Sequence, residues 1–257
     1  MIDTHCHLYY KDFKDDIEEV IDRALNAGIE KMIIPSVDSE TIEQSLKISE
    51  KFNSIYIAIG FHPSDIKNLN ISEINILEQY INYDKVVAIG EIGLDYYWDS
   101  SYSEKQKEFF KIQLDTAVKH DLPVIIHTRK SISDAFRILS GKEYKDLKAQ
   151  FHCFSGDTND LQTILSNKNF FISFCGNLTY KNFRQATLIP GIPVNKLLTE
   201  TDSPFLPPAP FFRKRNEPSY LTYTAKRLSE ILSLEYSEFE KTTTQNAEAL
   251  FYKLNKK

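Results

Sequence analysis

Cysteine is scarce in this chain of 257 residues: there are three, Cys6, Cys153 and Cys175, and no two are spaced as C-x-x-C. An odd and sparse set argues against a disulfide framework and predicts a reducing compartment, the cytoplasm. Long apolar runs are missing too. Nothing approaches the roughly 20 residues that span a bilayer as a helix. The N-terminus has no basic segment leading into an apolar one, so neither a membrane protein nor a secretory precursor is expected. Positive charge is in deficit: 31 Lys and Arg face 36 Asp and Glu, for a net charge of −5. Proteins that coat long duplex DNA carry broad basic surfaces, because phosphate neutralisation dominates their affinity. A polyanionic substrate would here be gripped locally, as short pieces or strand ends, with divalent cations offsetting part of the negative charge. No Pro-, Gly- or Ser-rich linker interrupts the chain, so a single domain over residues 1–257 is expected.

Histidine, by contrast, is concentrated. The chain has six, and two of them fall in the stretch Asp3-Thr4-His5-Cys6-His7. On a strand, alternate side chains share a face, so His5 and His7 converge while Cys6 turns away. Two imidazoles on one face make half of a metal site, although an H-x-H pair alone is a weak signal.

Short, near-continuously apolar runs then recur at 1–3, 31–36, 55–60, 85–91, 123–127, 149–154, 170–174 and 197–202. They read as buried parallel strands. Helical spacing fills much of the intervening sequence, at 15–28 (closed by Gly28), 39–52, 103–120 (opened by Ser103 as N-cap), 219–232 and 237–254. Strand–helix alternation of this length and count predicts an α/β protein, a (β/α)8 TIM barrel, over a doubly wound open sheet.

The residues capable of chemistry fall at strand ends. His5 and His7 end the first strand, Glu91 the fourth, His127 the fifth and Asp202 the eighth, while His152 lies near the end of the sixth and His62 just past the third. In a barrel the carboxyl ends form the mouth of the active site. Only His120 is left out, at a helix end. Each residue alone has a plainer use. His127 or His152 suits a core histidine, Glu91 a partner for Arg129 or a helix cap, Asp202 an Asx turn, and Asp95 ordinary loop chemistry. Those uses do not explain the shared rim. Four histidines and two carboxylates exceed one tetrahedral ion and suit two ions bridged by one carboxylate. Glu91, central in the order, is the expected bridge.

The stretches DTHCHL, GFHP, IGEIGLDYY, LPVIIHTR, FHCFSG, TETDSPFL, KRNEP and QNAEALF run in order from residue 2 to about residue 252. Together they resemble the TatD-type metal-dependent deoxyribonucleases of the amidohydrolase-like barrel group. The resemblance implies a barrel phosphodiesterase acting on DNA, often from a strand end. It implies metal ligands at His5, His7, Glu91, His127, His152 and Asp202, and a substrate-phosphate role for His62. The chain departs from the family pattern at Arg213, where a glycine is usual. An arginine accepts positive φ less readily than glycine. Either the loop follows another path, or Arg213, Lys214 and Arg215 grip phosphate, or the run is a solvated loop. Asn216 and Glu217 are expected to fix that loop through backbone hydrogen bonds.

The expected activity is therefore a metal-dependent deoxyribonuclease, an exonuclease on single-stranded or short DNA, with two divalent metal ions (magnesium, manganese or zinc) activating a water. His5, His7, Glu91 and Asp202 would hold one ion and Glu91, His127 and His152 the other. Asp202 would take the proton of the water, while His62 and Arg129 stabilise phosphate oxygens. Tyr96, Tyr97 and Trp98 either stack terminal bases or pack over the barrel mouth. A monomer with a DNA substrate and no membrane partner is expected. Two other readings stand beside this one: hydrolysis of an ester such as a D-aminoacyl-tRNA, or of an amide, and a metal-bearing protein that binds without catalysis. The cyclic-amide version is weakened because Glu91, not a lysine, ends the fourth strand, and the non-catalytic one because no expected ligand is missing.

Overall fold

Eight parallel strands form one sheet in the order β1 to β8, each hydrogen-bonded to the next in sequence. They are β1 (Ile2–Asp3), β2 (Lys31–Pro35), β3 (Ile55–Ile59), β4 (Val86–Asp95), β5 (Val124–Arg129), β6 (Ala149–Phe151), β7 (Phe170–Phe174) and β8 (Leu197–Thr199). The computed structural model describes residues 1–255, so the last two positions of the expected 1–257 domain lie outside the described residues. The sheet curls back on itself. Thr4 N–H donates to Thr199 O at 3.1 Å, Asp202 N–H to His5 O at 2.9 Å and His7 N–H to Ser203 O at 2.7 Å. These bonds close β8 onto β1 and make the expected TIM barrel.

Side-chain parity divides the core into two shells, as alternation on a strand requires. Ile2, Ile33, Val87, Ile125 and Leu198 pack together with Leu250, Phe251 and Leu254 from the C-terminal segment, which fills one end of the barrel. Met32, Ile34, Ile57, Val124, Ile126, Phe151 and Ile172 belong to the larger outer cluster, packed with the helices. Between the apolar filling and the mouth lies a polar layer. Gln150 Nε2 lies within hydrogen-bond distance of Thr4 Oγ1 at 2.9 Å, Ser173 Oγ at 2.8 Å and Glu200 Oε2 at 2.9 Å, sharing its two hydrogens among them.

The helices are α1 (Ile17–Asn26), α2 (Ser39–Lys51), α3 (Leu77–Tyr80), α4 (Ser103–Lys119), α5 (Ile132–Leu139), α6 (Thr158–Leu165), α7 (Leu221–Leu232) and α8 (Tyr236–Leu250). Helix α1 buries Val20, Ile21 and Ala24 on one stripe. The chain then leaves it through Gly28 at φ +85°, a conformation glycine takes without a steric penalty. Ser103 is the first helical residue of α4 rather than its cap; Tyr102 stands at the cap position without a side-chain bond. The strict alternation expected from sequence gives way in two places. Short 3-10 turns, from Gly176–Thr179 to Val194–Lys196, replace a helix between β7 and β8, and α7 and α8 both follow β8.

Candidate metal centre

Glu91 sits at the middle of the mouth, 3% exposed, with its two carboxylate oxygens turned to different sides. Oε2 lies 3.4 Å from His5 Nε2 and 3.7 Å from His7 Nε2. Oε1 lies 3.0 Å from His127 Nδ1, 2.8 Å from His152 Nε2 and 3.4 Å from His62 Nε2. Asp202 completes the first side, its Oδ1 lying 3.6 Å from His5 Nε2 and 3.4 Å from His7 Nε2. The two imidazole nitrogens are 3.1 Å apart. On the second side His127 Nδ1 and His152 Nε2 are also 3.1 Å apart.

These spacings fit divalent ions. Four ligand atoms at about 2.0–2.1 Å around a tetrahedral ion stand about 3.3–3.4 Å from one another. The measured separations among His5, His7, Glu91 and Asp202 bracket that value, and all four donors are imidazole nitrogen or carboxylate oxygen. The second side supplies His127, His152 and the other oxygen of Glu91, with His62 at the edge.

Local folding explains how the groups arrive. Strand pairing of β1 stops at Asp3, so His5 and His7 lie just past the strand rather than within it. They nevertheless face one site, while Cys6 is wholly buried with its thiol toward Ile33 O. Asp3 anchors the turn from behind, accepting from His5 N–H at 3.2 Å, Thr201 N–H at 3.0 Å and Thr201 Oγ1 at 2.6 Å. Burial pushes the Asp3 carboxyl up to about 7, against those hydrogen bonds. Gly93 pairs in register with His127 and has φ +139°, and a side chain there would collide with the His127 carbonyl. Glycine thus lets β4 approach β5 and seat the imidazole.

The electrostatics follow from crowding charged groups away from water. Burial raises the Glu91 carboxyl, but His152, His62 and His5 outweigh it and hold the group well below its ordinary range. Asp202 is likewise lowered, burial being overcome by His7 and His5. Burial, with His152 beside it, drops His5 to about 3, which leaves a neutral imidazole with a lone pair to offer. His62 goes the other way: burial is outweighed by Glu91 and Asp65, and it rises to about 10.

Several neighbours escape a reading of the sequence alone. Asp95, which sequence leaves as loop chemistry, does accept from Tyr97 N–H at 2.8 Å, but its other oxygen is 3.1 Å from His127 Nε2. Its spacing from Glu91 and Gly93 on one strand face was the available signal. Tyr9 Oη lies 2.8 Å from His7 Nδ1. Glu200, fully buried, accepts from Gln150, Ser173 and the backbone N–H of Cys153, and burial raises it well above the ordinary range. No sequence motif announces that three-strand convergence.

The basic run does not act as one unit. Arg215 is tied to the start of helix α1, pairing with Asp16 at 2.6 Å and lying 4.7 Å from the Phe13 ring, so its guanidinium is already engaged. Arg213 takes φ +69°, which keeps a glycine-like backbone at that position instead of an alternative path. Arg213 and Lys214 lie over the rings of Phe212 and Phe211 in their own loop. Asn216 does fix the loop through Thr201 O at 2.8 Å and Phe205 O at 2.7 Å. Glu217 instead holds the Arg23 side chain, at 2.7 Å. Arg129, at the end of β5, stacks on Tyr97 and makes no ion pair with Glu91 among the described residues. His120 pairs with Glu78 at 3.0 Å, away from the centre.

Comparison with known proteins agrees with this architecture. Residues 2–252 match the family described as TatD related DNase. A Bacillus subtilis protein described as the uncharacterized metal-dependent hydrolase YabD is 38% identical over 252 residues, covering 98% of each chain. The crystal structure of YjjV, a TatD homologue from Escherichia coli, superposes with a TM-score of 0.92 at 30% identity over 98% of both chains. A TatD family hydrolase from Entamoeba histolytica gives 0.87 at 25% identity, again over 98% of both. No helix among the described residues is long and apolar enough to cross a membrane.

Proposed function

The chain belongs to the TatD related DNase family of metal-dependent hydrolases, and from that membership we propose that it is a deoxyribonuclease, hydrolysing phosphodiester bonds at the ends of single-stranded or short DNA. The observation that carries this reading is the division of Glu91, one oxygen facing His5 and His7 and the other facing His127 and His152. His5, His7, Glu91 and Asp202 would hold one divalent ion and Glu91, His127 and His152 a second. Two such ions would supply Lewis-acid stabilisation of phosphoryl oxygens and an acidified water.

The remaining work belongs to the side chains. Asp202 has one oxygen toward His5 and His7, and its other oxygen would take the proton of the attacking water. The Nε2 of His62, 3.4 Å from Glu91, would donate to a non-bridging phosphate oxygen. Asp95 holds the His127 ring so that Nδ1 faces the centre. The polar layer of Gln150, Ser173 and Glu200 supports the centre from inside the barrel.

The test uses metal-stripped protein with magnesium, manganese or zinc restored, acting on single-stranded DNA labelled at the 5′ or the 3′ end. Metal-restored mononucleotide release or a ladder, absent in Glu91→Ala, is the expected result. Intact DNA with every ion, together with release of amino acid from charged tRNA, would replace the phosphodiester assignment with the ester one.

A further inference from the structure

Beside the centre, the carboxyl ends of β4 and β5 open onto a cleft of about 740 Å³ lined by Tyr96, Tyr97, Arg129, Lys130, Asp134 and Asp157 among others. That volume lies in the range of about 300–1,000 Å³ typical of small-ligand sites. The acids of the cleft are already committed. Asp134 engages Lys107 at 3.0 Å, Arg137 at 2.8 Å and the Tyr96 hydroxyl at 2.9 Å. Asp157 caps α6, accepting from Asn159 N–H at 2.8 Å and Asp160 N–H at 3.0 Å, and Asp160 accepts from Asp157 N–H in return. The cations are not committed: among the described residues neither Arg129 nor Lys130 has a carboxylate at ion-pair distance. The cleft therefore offers an anion two cations, Arg129 and Lys130, that no carboxylate holds.

The same cations lie on aromatic rings. The Arg129 guanidinium is 3.7 Å from the Tyr97 ring centroid and 5.1 Å from that of Trp98, and Lys130 Nζ is 5.0 Å from Tyr97. Tyr97 and Trp98 meet edge to face at 4.9 Å, yet remain 46% and 72% exposed. Two adjacent aromatics left in water, with a guanidinium stacked on one and an ammonium nearby, combine the two elements that recognise single-stranded nucleic acid: flat faces for bases and a positive track for phosphates. A guanidinium held on a ring is also pre-organised for the phosphate it meets.

Register joins this surface to the centre. Along β5, His127 and Arg129 share a face, and on β4 they pair with Gly93 and Asp95. Arg129 thus stands one side-chain step, about 6.6 Å, beyond His127 toward the mouth. We propose that Trp98, Tyr97 and Arg129 form a shelf for the unpaired terminal base of a single strand, with Arg129 and Lys130 on the adjoining phosphate. The scissile phosphodiester is then delivered to the His and carboxylate cluster. This proposal rests on the phosphodiesterase reading and names the feature of the substrate that the site selects. A paired base at a blunt end has no free edge or open stack to give the shelf.

Trp98 is the only tryptophan in the chain, so its emission reports the shelf directly. The full-length protein is titrated with a short oligothymidylate carrying phosphorothioate linkages, which resist hydrolysis. An abasic oligonucleotide of the same length, a blunt hairpin and inorganic phosphate serve as comparisons. Saturable quenching by the oligothymidylate is expected, with the abasic and blunt ligands binding at least about tenfold more weakly. Arg129→Met should weaken the quenching titration by about tenfold, with its circular dichroism unchanged. Unaltered Trp98 emission at oligonucleotide concentrations the enzyme cleaves overturns the shelf and leaves the nuclease reading standing. Equal binding of the abasic strand also overturns it, reducing the cleft to a phosphate grip. Saturable, base-dependent quenching with no cleavage under any metal supports the shelf and removes the nuclease reading.

Discussion

Asp95 Oδ2 lies 3.1 Å from His127 Nε2, while the other nitrogen of that ring lies 3.0 Å from Glu91. The ring is therefore oriented by one carboxylate and presented to another. Carboxylates that hold the far nitrogen of a metal-binding histidine commonly contribute a factor of about 10–100 to metal affinity. Asp95→Ala is expected to weaken binding of the proposed second ion by that factor, read by competition against a chromogenic chelator. Affinity equal to wild type would remove Asp95 from the centre.

Glu91→Gln keeps the shape of the bridge but exchanges one oxygen for an amide nitrogen that donates and does not ligate. One half of the centre then loses its shared ligand. Metal content measured by elemental analysis should fall by about one equivalent per chain, and turnover by about a thousandfold or more. Full metal content in this variant would contradict the bridging geometry.

Arg213 holds φ +69° on the loop before Asn216. A non-glycine residue in that region carries a penalty of about 1–2 kcal/mol, partly cancelled by the greater unfolded-state freedom of glycine. Arg213→Gly should raise stability by about 0.5–1 kcal/mol, seen as a higher midpoint in denaturant with an unchanged slope. A lower midpoint would show that the guanidinium contributes more on Phe212 than its backbone loses.

Glu217 is 5% exposed and accepts from Arg23 at 2.9 and 2.7 Å and from Ser219. Burial raises its carboxyl, but Arg23 and Ser219 outweigh this and lower it below the ordinary value of 4.5. A lowered folded-state value gives stability that is fully present above the unfolded-state value and fades as pH falls through the folded one. The gap between wild type and Glu217→Gln should be about 1–3 kcal/mol at neutral pH, Arg23 being half exposed. It should narrow as pH falls below the ordinary value of 4.5 and close only below the lowered folded-state value. Parallel acid-unfolding curves for the two proteins would refute this.

The strand starts and the rim positions were legible in the sequence because each needs only local information. A β-branched run reports a buried strand, and a histidine or carboxylate at its end reports the mouth. Helices α5 and α6, of eight residues each, escaped because so few turns give little periodicity to read. Asp95 was visible but underrated, since its partner lies on the next strand. The Gln150 layer was invisible, because Thr4, Ser173 and Glu200 approach it only once the barrel closes. Three consecutive basic residues read as one patch, yet the loop turns Arg215 toward Asp16 and leaves its neighbours on their own aromatics.

The closing seam between β8 and β1 also bears on biosynthesis. Asp202, which completes the group begun by His5 and His7, is translated almost two hundred residues after them. Until then the nascent chain carries two imidazoles with no carboxylate from β8, and the seam that positions them does not exist. Completion of that group thus waits until β8 has been made, and a chain released before β8 would lack Asp202 and the seam.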